Sequence, residues 1–177
     1  MSALIITTNY GIEQDELKQP LEALKAAGVP VTHAAVEVSP VQTLVGDKDP
    51  GETFEPDALL SDVDASEHDL LVIPGGTINA DTLRTDDAAV ALVKAFASSG
   101  RTIAAICHGP WLLAEADVAR GKTATSYPSL ETDLRNAGAT WVDEELRTCE
   151  MEGYTLLTSR TPDDLDAFSA AVVDAAR

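Results

Sequence analysis

Basic residues are scarce in this chain: 12 Lys and Arg stand against 30 Asp and Glu, a formal net charge of −18. A surface of that sign repels phosphate backbones and anionic bilayers, so neither nucleic acid nor membrane is an expected partner. No basic patch interrupts it. The acids are scattered ("DKDPGETFEPD", "VDEELR", "TPDDLDAF"), so there is no acidic tail. Few Lys and an excess of Asp point to a halophilic source, where high salt screens self-repulsion. Long apolar runs are also missing, and none approaches the ~18 residues of a membrane span. The opening "MSALIITTNYGIEQDE" has no basic residue before its apolar run, which fits a first strand and not a signal peptide. Cysteine occurs twice, at distant positions, which excludes a disulfide framework. A cytoplasmic protein with reduced thiols is expected. Histidine occurs three times, as His33, His68 and His108. Those residues and two distant cysteines have no metal-ligand spacing, and "PGGTINAD" lacks the lysine of a phosphate-binding loop. No metal or cofactor is expected.

What is present is a chain of 177 residues with 45% hydrophobic content, read as one folded domain over 1–177. "ALIITT" and "VPVTHAAVEV" read as strands, with a helix between them on Leu17, Leu21, Leu24 and Ala27. That helix either begins at Pro20 or kinks there. Residues 39–68 are polar and read as a surface excursion with room for a small hairpin. "DLLVIPGG" and "TIAAIC" are buried strands, with a helix over 86–99 between them. A helix over 109–119 follows, with Pro110 in its first turn. "TATSY", "TWVD", "LRTCE" and "YTLLTSR" are later strands. "PSLETDLRNAGA" is a helix, and "TPDDLDAFSAAVVDAA" is a final helix capped from Thr161. Continuously apolar strands alternating with helices predict an α/β fold with a mostly parallel sheet covered on both faces. Ligands in such folds bind beyond the carboxyl ends of the strands. "NYGIE", "PGG" and "CHG" all fall there.

Cys107 lies where a buried strand turns directly into a helix. Free N–H groups at that place favour a thiolate, but a drop from ~8.5 to ~5 needs roughly 5 kcal/mol and therefore a partner. The turn and the adjacent His-Gly favour a nucleophile over a packed structural cysteine. His108 offers a backbone N–H for an oxyanion hole, with a second from the "PGG" loop. Its side chain is a weaker candidate, because neighbours in a sharp turn often point apart. Glu13, just after the first strand, is a carboxyl able to hydrogen-bond the sulfur when protonated. His33 and His68 read as structural or surface residues, and Cys149 as an ordinary strand cysteine. Trp111 is placed to wall the pocket or to pack in the core.

"AAICHGPWLLAEADVARGKTATSYPSLETDLRNAGATWVDEE", "LLVIPGGTINADTLR" and "TSRTPDDLDAF" together resemble the ThiJ/PfpI superfamily nearly end to end. Within it, the chain is most similar to the PfpI-like general stress proteins. The resemblance implies a flavodoxin-like three-layer sandwich, related to class I glutamine amidotransferases, with Cys107 on a nucleophile elbow. It implies that Glu13 contacts the sulfur and that Gly76 and His108 supply oxyanion-hole amides. It also implies a homodimer or higher homo-oligomer with the site near the interface. Peptidase-like members take a glutamate from a neighbouring subunit after the "PGG" loop. Here Ala80 stands in that place and Asp81 is next to it, which makes Asp81 the candidate third member.

Three functions compete. The first is aldehyde chemistry of the glutathione-independent glyoxalase or deglycase type: Cys107 adds to a small aldehyde or glycated substrate, and Glu13 or His108 moves protons. The second is amide hydrolysis by a PfpI-type cysteine peptidase. A glutaminase triad is excluded because no histidine follows position 108. The third is a non-enzymatic stress protein or chaperone that senses oxidants through Cys107.

Overall fold

Burial on both faces explains why the strands of this chain are unbroken apolar runs. The computed structural model describes residues 1–177. In chain order the elements begin with β1 (Ala3–Thr7), β2 (Tyr10–Glu13), α1 (Gln14–Ala26) and β3 (Val31–Ala35). There follow β4 (Val41–Val45), β5 (Asp49–Phe54), β6 (Ala58–Leu59), β7 (Leu70–Ile73), α2 (Thr77–Leu83) and α3 (Asp87–Ser98). Next come β8 (Thr102–Ile106), α4 (Trp111–Glu115), β9 (Thr123–Ala124), α5 (Glu131–Asn136) and β10 (Thr140–Trp141). The last are β11 (Arg147–Cys149), β12 (Leu156–Ser159) and α6 (Leu165–Ala175).

Seven strands form the main sheet in the order β11-β12-β8-β7-β1-β3-β6. All its pairings are parallel except that of the edge strand β11 with β12. Side chains alternate between the two layers. On β1, Leu4 and Ile6 join a cluster of 23 buried residues with Leu92, Phe96 and Leu112, whereas Ala3 and Ile5 join one of 19 with Leu17, Leu24 and Phe168. Helices α3 and α4 therefore cover one face, and α1 and α6 the other. This is the α/β architecture expected from the sequence.

The structure departs from the local readings in three places and bears out a fourth, the hairpin within 39–68. Helix α1 runs on through Pro20 and does not begin there. Burial of the stripe Leu17, Pro20, Leu21 and Leu24 outweighs the missing N–H. Helix α4 stops well short of residue 119, because Asp117 takes a φ of 54° and breaks it. Thr161 makes no side-chain cap, and a 3-10 turn, Pro162–Asp164, precedes α6. The 39–68 excursion contains a true hairpin, β4–β5, which pairs with β2 as a separate small sheet.

His33 lies inside β3 and is buried, with Nε2 2.8 Å from Thr7 Oγ1. Burial pushes its pKa down to about 4. His68 precedes β7, and its Nδ1 is 3.5 Å from Ser2 Oγ. Both are structural, as the sequence suggests.

Candidate active site

Strand β8 ends at Ile106 and the chain turns at once. Cys107 has a φ of 60°, in the left-handed region that costs an L-residue about 1–2 kcal/mol. Two bonds hold it there. Its N–H donates to Ser159 O (3.1 Å), and its carbonyl accepts from Tyr127 N–H (2.8 Å). Gly109 N–H then donates to Ile106 O (2.9 Å), closing the turn. No larger residue fits at Gly109, since a Cβ there would lie 2.6 Å from Ile73 O.

Four groups surround the buried sulfur. His108 Nδ1 is 3.2 Å from Cys107 Sγ, so the neighbouring side chains meet across the turn and do not point apart. The backbone N–H groups of Gly76 and His108 lie beside the sulfur and favour its charged form. The fourth group is a carboxyl, and it is not Glu13. Glu16 is set beside Cys107: its Oε2 accepts from Gly75 N–H at 2.8 Å, and its Oε1 is buried without a hydrogen-bond partner. Glu13 closes β2 and turns toward the small sheet, where its carboxylate accepts from Gly46 N–H (3.1 Å) and Asp47 N–H (3.0 Å). The contact with the sulfur expected for Glu13 is thus made one helical turn later. A signal for this was present. Glu16 is in phase with the buried positions Pro20 and Leu24, at the four-residue spacing of one helix face.

Burial sets the electrostatics. It pushes the Glu16 carboxyl up to about 8, so the group keeps its proton at neutral pH and can donate it to the sulfur. Burial also pushes the Cys107 thiol up, while the Gly76 and His108 amides pull it down. The His108 imidazole is held below its ordinary range by burial, against the pull of Asp47. At pH 7 the resting imidazole is therefore neutral.

The rest of the site frames His108. Its ring stacks on Tyr127 (4.6 Å between centroids, 25° between planes) and meets Trp111 edge-on at 5.4 Å. Trp111 is therefore a wall of the site, and its Nε1–H is tied to Asp133 at 2.7 Å. His108 Nε2 is 3.4 Å from both Thr77 Oγ1 and Ser129 Oγ. The turn of the β4–β5 hairpin closes over this edge. Asp47, at its tip, accepts from Thr77 N–H (3.0 Å) and Thr77 Oγ1–H (2.7 Å).

The "PGG" loop is fixed from below. Asn79 accepts from Thr8 N–H (2.8 Å) and donates to Gly75 O (3.0 Å), tying the ends of β1 and β7 together. Gly76 takes a φ of 86°, and a Cβ on it would crowd Gly11 O and lie 2.6 Å from Glu13 N. Its N–H can approach the sulfur because no side chain stands in the way. Asp81 is exposed on α2. A second carboxylate, missed by sequence reasoning, reaches Thr77 just after the "PGG" segment and belongs to Asp47. Cys149 is buried in β11, with its sulfur accepting from Thr123 N–H at 3.3 Å.

The arrangement can activate a thiol, hold an oxyanion and carry a proton on a buried carboxyl. General stress protein 18 of Bacillus subtilis (strain 168) is 40% identical over 94% of this chain and 92% of its own length. Protein/nucleic acid deglycase 2 of Escherichia coli (strain K12) is 38% identical over 94% of this chain and 92% of its own. The crystal structure of Drosophila melanogaster DJ-1beta matches with a TM-score of 0.85 at 32% identity, covering 98% of this chain and 90% of that one. Relatives named for stress and for deglycation support an enzyme. A model of the DJ-1/PfpI family matches residues 1–175, and the chain belongs to that family.

Proposed function

We propose that this protein is a stress-protective enzyme that removes reactive 1,2-dicarbonyls such as methylglyoxal, or their early adducts, with Cys107 as nucleophile. One observation carries the reading: the fully buried Glu16 carboxyl, with one oxygen left without a partner, sits beside the same sulfur that His108 Nδ1 approaches at 3.2 Å. His108 accepts the thiol proton, and the sulfur adds to the aldehyde carbon to give a hemithioacetal. The Gly76 and His108 amides stabilise the developing oxyanion. Glu16 and His108 then move a proton from the first carbon to the second, leaving a thioester. Water cleaves the thioester to the 2-hydroxy acid and regenerates the thiol, so methylglyoxal and water give lactate with no outside oxidant or glutathione. Reversal of an aldehyde adduct on an amine or thiol uses the same groups.

A second reading, amide hydrolysis, draws on the same Cys107–His108 contact. The test is lactate formation from methylglyoxal without glutathione, in high salt. Wild type is expected to turn over, Cys107→Ala to give no product, and Glu16→Gln to lose roughly 100-fold in rate. No lactate from folded wild type contradicts the dicarbonyl reading, and peptide hydrolysis lost in Cys107→Ala then supports the second.

A further inference from the structure

The hairpin turn that closes over the site determines which nitrogen of His108 carries its proton. Asp47 straddles Thr77: one oxygen accepts from the backbone N–H (3.0 Å) and the other lies 2.7 Å from Thr77 Oγ1. A carboxylate can only accept, so the single hydroxyl proton of Thr77 is committed to Asp47. What remains on Thr77 Oγ1 is lone pairs. His108 Nε2 lies 3.4 Å from both Thr77 Oγ1 and Ser129 Oγ; toward Thr77 it can only donate, and Ser129 Oγ, a hydroxyl that turns either way, is able to accept the same proton. A neutral imidazole with its proton on Nε2 has a bare Nδ1, and Nδ1 is the atom 3.2 Å from Cys107 Sγ.

We propose that Asp47 is a positioning residue, which fixes His108 through Thr77 as the Nε2–H tautomer and so leaves Nδ1 free to take the Cys107 proton. Glu13 is the support beneath it, since its carboxylate holds the Gly46 and Asp47 amides in the turn. Asp47 itself takes a φ of 56°, so a non-glycine residue is kept in a strained turn at this point. The third member of the Cys–His pair is therefore supplied within the chain, by a loop far from Cys107 in sequence. The inference rests on Cys107 acting as a nucleophile, but not on its substrate.

The variant Asp47→Asn reverses the polarity of the chain without changing its shape. Thr77 N–H must still be accepted, which the amide oxygen does, so the amide NH2 faces Thr77 Oγ1 and donates to it. The hydroxyl proton is then released toward His108 Nε2, and the imidazole proton moves to Nδ1. Nitrogen NMR of 15N-labelled protein reads the tautomer directly, and iodoacetamide labelling of Cys107 reads the consequence. Wild type and Thr77→Ser are expected to show the Nε2–H form. Asp47→Asn is expected to show Nδ1–H and a Cys107 labelling rate roughly 10- to 100-fold lower at pH 7. A wild-type Nδ1–H tautomer, or an unchanged tautomer in folded Asp47→Asn, overturns the proposal. Failure of methylglyoxal turnover with the tautomers as expected removes the dicarbonyl reading and leaves this one standing.

Discussion

The residue with the largest electrostatic consequence is Glu16. Its proton leaves the unfolded chain near 4.5 and the folded chain near 8. Between those values the native state binds more protons than the unfolded one, so stability falls as pH rises and levels off above about 8. The slope reaches at most about 1.4 kcal/mol per pH unit. Urea unfolding of wild type and Glu16→Gln at pH 5 and pH 8 checks this. The difference between the two proteins should shift in favour of the variant at pH 8, and parallel pH profiles would refute the assignment. Cys107, His108 and the glycine turn were legible in the sequence, because a thiol at a strand end followed by His-Gly is a local pattern. The choice between Glu13 and Glu16 was not read correctly. Both follow the first strand, and only the helical phase with Pro20 and Leu24 separates them.

Among the elements, the β4–β5 hairpin matters most to the site. Its turn is held by two amide bonds to Glu13, and Glu13→Ala leaves both donors without that partner. A stability loss of about 1–2 kcal/mol is expected. Limited proteolysis should show faster cutting at Gly46–Lys48 than in wild type, and unchanged cutting would show that Glu13 does not hold the turn. Sequence patterning left room for a hairpin within 39–68 but could not set its strands. Strand β5 is half-exposed or exposed throughout, its pairing with β4 shifts register, and β2, which pairs with β4 on its other side, lies far upstream. Without the hairpin, Asp47 is one acid among many. The main sheet was easier, because strands buried on both faces cannot alternate. The early end of α4 was harder, since a left-handed Asp117 is not marked by a glycine.

At the scale of the whole molecule, charge is the dominant feature. Only eight of the 30 acidic residues form ion pairs, and half of those pairs are exposed at both ends. Exposed pairs contribute little, so self-repulsion from the remaining acids is left to the solvent to screen. The melting temperature is expected to rise by several degrees between 0.1 and 2 M KCl, roughly as the Debye length shrinks from ~10 Å to under 3 Å. A melting temperature that does not move, or falls, would show that the charge is already compensated within the fold. The two cores, of 23 and 19 buried residues, carry no such salt dependence and hold the strand ends at a fixed geometry.

The fold is expected to activate one cysteine and leave the other inert. Both are free and equally buried, each 4% exposed, so Cys149 is an internal control for Cys107. The most direct measurement is the rate of iodoacetamide labelling at each, read by peptide mass spectrometry in native protein at pH 7. The account predicts that Cys107 is modified at least ~10-fold faster, as a base and two amides beside one thiol require. Equal rates, or faster labelling of Cys149, would contradict it.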